Sequence, residues 1–148
     1  MILSHLLGGN VPPPPQEWIK AYSDGAVNLG DGSAAAGGVL RNHNGDWIVG
    51  FSRSLGKCLV LIAELWGAHD TLVHALRLGF KSVVIEKDNA EVVDIYNNLF
   101  DALAGNTLVD ALKELRDQDW TTRMVRIKRE INGVADKLAS MSRGHPIG

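Results

Sequence analysis

Between Glu17 and Val27 apolar and polar positions alternate well enough to predict a strand, with Trp18, Ala21 and Tyr22 among its residues. Asn28 to Ser33 is rich in Gly, Asn and Asp and reads as a turn. A second strand is expected from Ala34 to Arg41 and a third from Asp46 to Leu55. The segment between them ends in Asn44-Gly45, a hairpin signal. The period then lengthens. Leu61, Leu65, Ala68, Leu72, Ala75 and Leu76 recur at helical spacing, which predicts a long helix over Val60 to Leu78 with Gly79 as its stop. Ser82 to Glu86, SVVIE, is a short apolar strand of the buried parallel kind. Helical patterns follow at Asn89 to Phe100 and at Thr107 to Arg116. Thr121 to Arg129 alternates as an edge strand would, and Asn132 can cap a last helix with the apolar stripe Val134, Leu138 and Met141.

The order βββαβααβα predicts an α/β fold: a mixed five-stranded sheet, its first three strands an antiparallel meander and the rest parallel, with helices on both faces. Such an arrangement gathers strand ends and a helix start at one edge of the sheet, where sites form in open α/β sheets.

Composition adds boundaries to this picture. The chain has 148 residues, a normal length for one domain, and is 45% hydrophobic, enough for a core. Residues 1–16 contain Gly8, Gly9 and the run Pro12 to Pro15, so they read as a linker or disordered tail before a domain at 17–148. The domain is therefore expected to be a monomer cut from a larger polypeptide. A single cysteine, Cys58, excludes an internal disulfide and a zinc site built from several thiolates. No apolar run reaches the roughly 20 residues of a membrane helix, and the N-terminus lacks a basic flank for a signal peptide. The expectation is an intracellular, nuclear or cytoplasmic domain with no membrane partner.

Most acidic residues fit a solvated surface, but four sit among apolar neighbours. Asp24 interrupts the first strand. Glu64 lies near the start of the long helix, between Ala63 and Leu65. Asp88 follows the apolar strand, and Asp136 sits one turn into the last helix. Each has a local explanation: Glu64 can complement the helix dipole, and Asp88 can cap the next helix. All four together are harder to explain that way, because clustered carboxylates repel unless cations sit between them. Magnesium prefers oxygen ligands, and two such ions suit phosphodiester hydrolysis.

At these residues the chain resembles the ribonuclease H family, most closely its plant reverse-transcriptase-like, retroelement-related branch. The resemblance runs from Trp18 to about Arg143. It is carried by YSDGA (Tyr22 to Ala26), AAAGGVLRNHNGDWIVGF (Ala34 to Phe51), AELWGAHDTLVHALRLG (Ala63 to Gly79), IEKDNAEVV (Ile85 to Val93) and REINGVADKLA (Arg129 to Ala139). It implies the ribonuclease H-like fold and an endonuclease that hydrolyses the RNA strand of an RNA·DNA hybrid with two Mg2+ ions, Mn2+ being able to substitute. It also implies Asp24, Glu64, Asp88 and Asp136 as the catalytic, metal-binding set. Glu64 would in addition contact a ribose 2′-hydroxyl. Asn28, Arg126 and Arg129 are candidates for substrate binding.

The chain departs from the family's pattern in two places. Arg126 stands where many members carry a histidine, ten residues before the last aspartate. EKDN stands in place of the common ESDS. Lys87, next to Asp88, is expected to point to the opposite face of the strand and to matter little. These departures, and the lack of a basic hybrid-binding extension, support an alternative: a weak or inactive ribonuclease H-like nucleic-acid-binding or interaction module. Exonuclease relatives want a second acid where this chain has Ala26, and transposase relatives a glutamate where it has Asp136; both readings are less favoured.

Several other residues receive a structural reading. Cys58 is taken as an ordinary apolar residue, His43 as solvated, and His69 and His74 as lying on the polar side of the long helix. Trp47, Trp66 and Trp120 are taken as core or partly buried anchors. The formal net charge of -2 speaks weakly against a nucleic-acid partner, but it is unevenly distributed. Residues 121–143 carry +4 and the remainder -6, so the basic last strand would flank a site whose acids a metal could neutralise.

Overall fold

The computed structural model describes residues 18–127. The linker at 1–16, Arg129, Asp136 and the last helix lie outside the described residues. Strand β1 (Ile19–Val27) is followed by β2 (Ser33–Arg41), β3 (Trp47–Lys57), helix α1 (Val60–Arg77) and β4 (Ser82–Lys87). A short helix α2 (Ala90–Asp94) continues as a wider turn of helix over Ile95–Leu99. Helix α3 (Thr107–Arg116) and strand β5 (Thr121–Arg126) complete the described chain.

The five strands form one mixed sheet in the order β3-β2-β1-β4-β5. β1, β2 and β3 pair antiparallel as a meander, and β4 and β5 run parallel to β1. The register Tyr22↔Glu86 and Glu86↔Val125 brings the ends of β4 and β5 level with the middle of β1. Local chemistry fixes the turns. Asn28 Oδ1 accepts from the Gly30 and Asp31 amides, and Asn42 Oδ1 from those of Asn44 and Asp46. These are side-chain-closed turns of the kind Asn favours. Helix α1 ends at Leu78, and Gly79 follows with φ +83°, the left-handed conformation glycine adopts most readily.

The core is a single cluster. Ile19, Ala21, Val83, Ile85 and Met124 on one face of the sheet pack beneath Leu65, Ala68, Leu72 and Ala75 of α1 and Val109 and Leu112 of α3. α1 makes its closest approach to β1 at Gly25. A Cβ there would lie 2.4 Å from the Ala63 carbonyl carbon and the Glu64 nitrogen. One turn on, Gly67 faces the Asp24 carbonyl, 3.2 Å from where its own Cβ would be. These two glycines let the helix backbone settle directly on the strand that carries Asp24.

Two expectations about side chains change. Trp47 is no core anchor: it is 51% exposed and lies against the Arg41 guanidinium. It starts the edge strand β3, where only one face can be covered. His69 and His74, read as lying on the polar side of the long helix, are half-buried and bonded there. His69 pairs with Asp70, and His74 stacks on Phe51 at 4.6 Å while contacting the Asp70 carbonyl.

Candidate metal centre

Asp24 lies in the interior of β1, opposite Gly37 of β2, and is fully buried. Both its carboxylate oxygens are buried without a hydrogen-bond partner among the described residues. Such an uncompensated carboxylate is costly in a protein interior. A contrast within the same fold makes the point. Asp70, also buried, takes two contacts from Arg53 Nη1 at 3.0 and 3.2 Å and one from His69 Nδ1 at 2.9 Å. The described residues thus compensate Asp70 and supply no such partner to Asp24.

Glu64 reaches the site from α1, and Asp88 from the residue after β4. One carboxylate oxygen each of Asp24, Glu64 and Asp88 falls within 4.8 Å of the others. At an effective dielectric of about 20, two charges at that separation repel by roughly 3.5 kcal/mol. Three anions held so close, one with two bare oxygens, form a donor set of hard oxygens suited to a divalent cation such as magnesium.

The local explanations for these acids give way to the geometry. Glu64 is the fifth residue of α1, past the first turn, and folds back across the sheet. Its Oε1 accepts from the Gly25 amide at 2.7 Å. The cap of α2 is Asn89, whose side chain accepts from the Val92 amide at 3.0 Å.

Lys87 differs from its expected role. Its side chain does leave the strand on the face away from Asp88, but that face is covered by α1, and the ammonium turns back to Glu64. Nζ donates to Glu64 Oε1 at 2.9 Å and to the Glu64 carbonyl at 3.2 Å, and the residue is fully buried. A lysine in an apolar strand is itself the signal that was passed over, because an ammonium is almost never fully buried without a partner.

The substrate-binding candidates fall in different places. Asn28 is exposed, and its side-chain oxygen is engaged in closing its own turn. Arg126 is exposed at the end of edge strand β5, in register with Lys87, and so shares that residue's side of the sheet. Arg129 and the fourth expected acid, Asp136, lie outside the described residues. Beside the carboxylates, Tyr22 is in register with Glu86. Partial burial and the neighbouring Glu86 charge raise its phenol above the usual value. Cys58 follows β3, half-buried, with burial raising its thiol, in keeping with an unreactive role.

The sheet order, with Asp24 on β1 and Asp88 just past the parallel β4, defines a ribonuclease H-like fold. The RNase H1 of the halophilic archaeon Halobacterium salinarum superposes with a TM-score of 0.73 at 24% identity, over 84% of this chain and 96% of that one. LC11-RNase H1, solved in complex with an RNA/DNA hybrid, superposes at 0.72 with 20% identity, over 85% and 96%. The prototype foamy virus protease-reverse transcriptase gives 0.71 with 17% identity, over 93% of this chain and 22% of that one.

Within that fold the reverse transcriptase-like family pattern matches residues 22–142, and the chain belongs to this family. A relative from Arabidopsis thaliana, named as a candidate ribonuclease H protein, is 36% identical over 124 residues, 83% of this chain. The chain spans about a fifth of that relative's length (20%).

Proposed function

We propose that this domain is an endoribonuclease that hydrolyses the RNA strand of RNA·DNA hybrids. The observation that carries the reading is Asp24, with two buried carboxylate oxygens lacking a hydrogen-bond partner among the described residues, beside Glu64 and Asp88. Family membership and the hybrid-bound LC11-RNase H1 support the choice of substrate. Asp24 and Asp88 would hold a magnesium ion, with Glu64 and Asp136 completing the sites for two ions. Bound there, magnesium supplies a water of lowered pKa and positive charge for the leaving oxygen. The chain's own part is to hold these acids close together, with Asp24 and Glu64 buried. Gly25 and Gly67 admit α1 to the sheet, and the Gly25 amide fixes the Glu64 carboxylate. By the family resemblance, Glu64 would also contact a ribose 2′-hydroxyl, the group that separates RNA from DNA.

A catalytically weak binding module is the second reading. Lys87, occupying part of Glu64's capacity as a ligand, is the observation that favours it. Incubating the purified chain with a labelled hybrid in magnesium and in chelator tests the first reading. Cleavage of the RNA strand in magnesium only, with duplex DNA intact, is expected. A hybrid left whole at every magnesium concentration would favour the second.

A further inference from the structure

We propose that Lys87 is a resident cation of this centre, a positioning residue that stays on Glu64 whether or not magnesium is bound and sets how tightly the site holds the metal. The proposal rests on reading the three acids as a metal site. It goes further by assigning a role to a residue outside that set.

Two features support it. The ammonium is fully buried and is fixed at two points, Glu64 Oε1 at 2.9 Å and the Glu64 carbonyl at 3.2 Å. Nζ lies under α1 beside Gly67, 3.5 Å from where a Cβ on that glycine would be, which is ordinary packing distance. Glu64 Oε1 is already shared by the Gly25 amide and Lys87. A metal at Glu64 must therefore use the second oxygen, within a few ångströms of a positive charge that repels it. The ammonium lets the acids assemble before metal arrives and, by the same charge, weakens the grip on metal once it does.

The test is isothermal titration of the full chain with magnesium chloride. It compares the wild type with Lys87→Met, which keeps the unbranched chain as far as the ε position, and Lys87→Gln, which keeps an N–H donor; both remove the charge. The account expects magnesium affinity to rise at least tenfold in either folded variant, equal to about 1.4 kcal/mol. In chelator the same variants should melt at lower temperature than the wild type, with a larger gain on adding magnesium. Structural damage to the site would weaken binding, so tightening is a change that a merely structural lysine does not give. Affinity unchanged or weakened in both variants would overturn the proposal.

A measurement on the wild type keeps the question open should neither variant fold. The Lys87 ammonium nitrogen resonance should keep its shift from metal-free to magnesium-saturated protein. Movement to the shift of solvent-exposed lysines at saturation would overturn the proposal. The outcomes separate from those of the functional reading. Hybrid cleavage with unchanged affinity in the variants removes only the role of Lys87. Tightened magnesium binding in a chain that never cleaves hybrid removes only the reaction.

Discussion

Replacing Gly25 by alanine should separate the helix from the strand that together bring the three carboxylates into one cluster. The added Cβ would lie 2.4 Å from Ala63 C and Glu64 N and 2.6 Å from Ala63 O, all backbone atoms that cannot rotate away. Ordinary contact begins near 3.4 Å, so α1 must retreat by about 1 Å. Overpacking of this kind costs about 1–3 kcal/mol, and the backbone character of the obstacle argues for the upper end. With a urea slope of about 1–3 kcal/mol per molar, the unfolding midpoint should fall by roughly 1–2 M. The same retreat carries Glu64 away from Asp24 and strains the 2.7 Å bond from the Gly25 amide. A displacement of about 1 Å near reacting groups costs on the order of 100-fold in rate. Urea denaturation and hybrid cleavage on the same Gly25→Ala preparation give both numbers. A midpoint and a rate indistinguishable from wild type would refute the close-approach reasoning.

Asp24→Asn removes one of three crowded charges and leaves a side chain of the same shape. In chelator it should be as stable as wild type or about 1 kcal/mol more stable, while losing most of the stabilisation magnesium gives. Thermal melts with and without magnesium check this, and a loss above about 1 kcal/mol in chelator would contradict it. Tyr96→Phe removes the hydroxyl bonded to Thr122 Oγ1, at a cost of about 1 kcal/mol near neutral pH. Burial raises the Tyr96 phenol above its ordinary value, so the folded state favours the neutral form. That contribution is complete below about pH 10 and is lost as pH climbs through the raised folded-state value. The variant should therefore lose less stability than wild type above about pH 10, measured by urea unfolding at each pH.

The periodicity of the chain carries most of the architecture. The α1 pattern from Leu61 to Leu76 and the turn residues at Asn42 to Gly45 locate their elements to within one or two residues. The wider helical turn at Ile95–Leu99 escaped notice because its apolar spacing reads as ordinary helix. Asp24, Glu64 and Asp88 stood out as acids among apolar neighbours, and the fold brings them together. Lys87 did not stand out, because strand alternation says which face a side chain takes but not which helix covers that face. The close approach at Gly25 was invisible for a related reason: the obstacle is backbone from a residue 39 positions away. The histidines went the same way, since the partner of His74 is Phe51 on another strand.

The central claim, that the acids gathered from β1, α1 and the end of β4 perform metal-dependent hydrolysis of hybrid RNA, is tested most directly by one comparison. Wild type and Asp88→Asn are assayed side by side on the same RNA·DNA hybrid in magnesium, with circular dichroism showing both folded. The account predicts RNA-strand cleavage by the wild type and none by the variant. Cleavage by Asp88→Asn at the wild-type rate would contradict it.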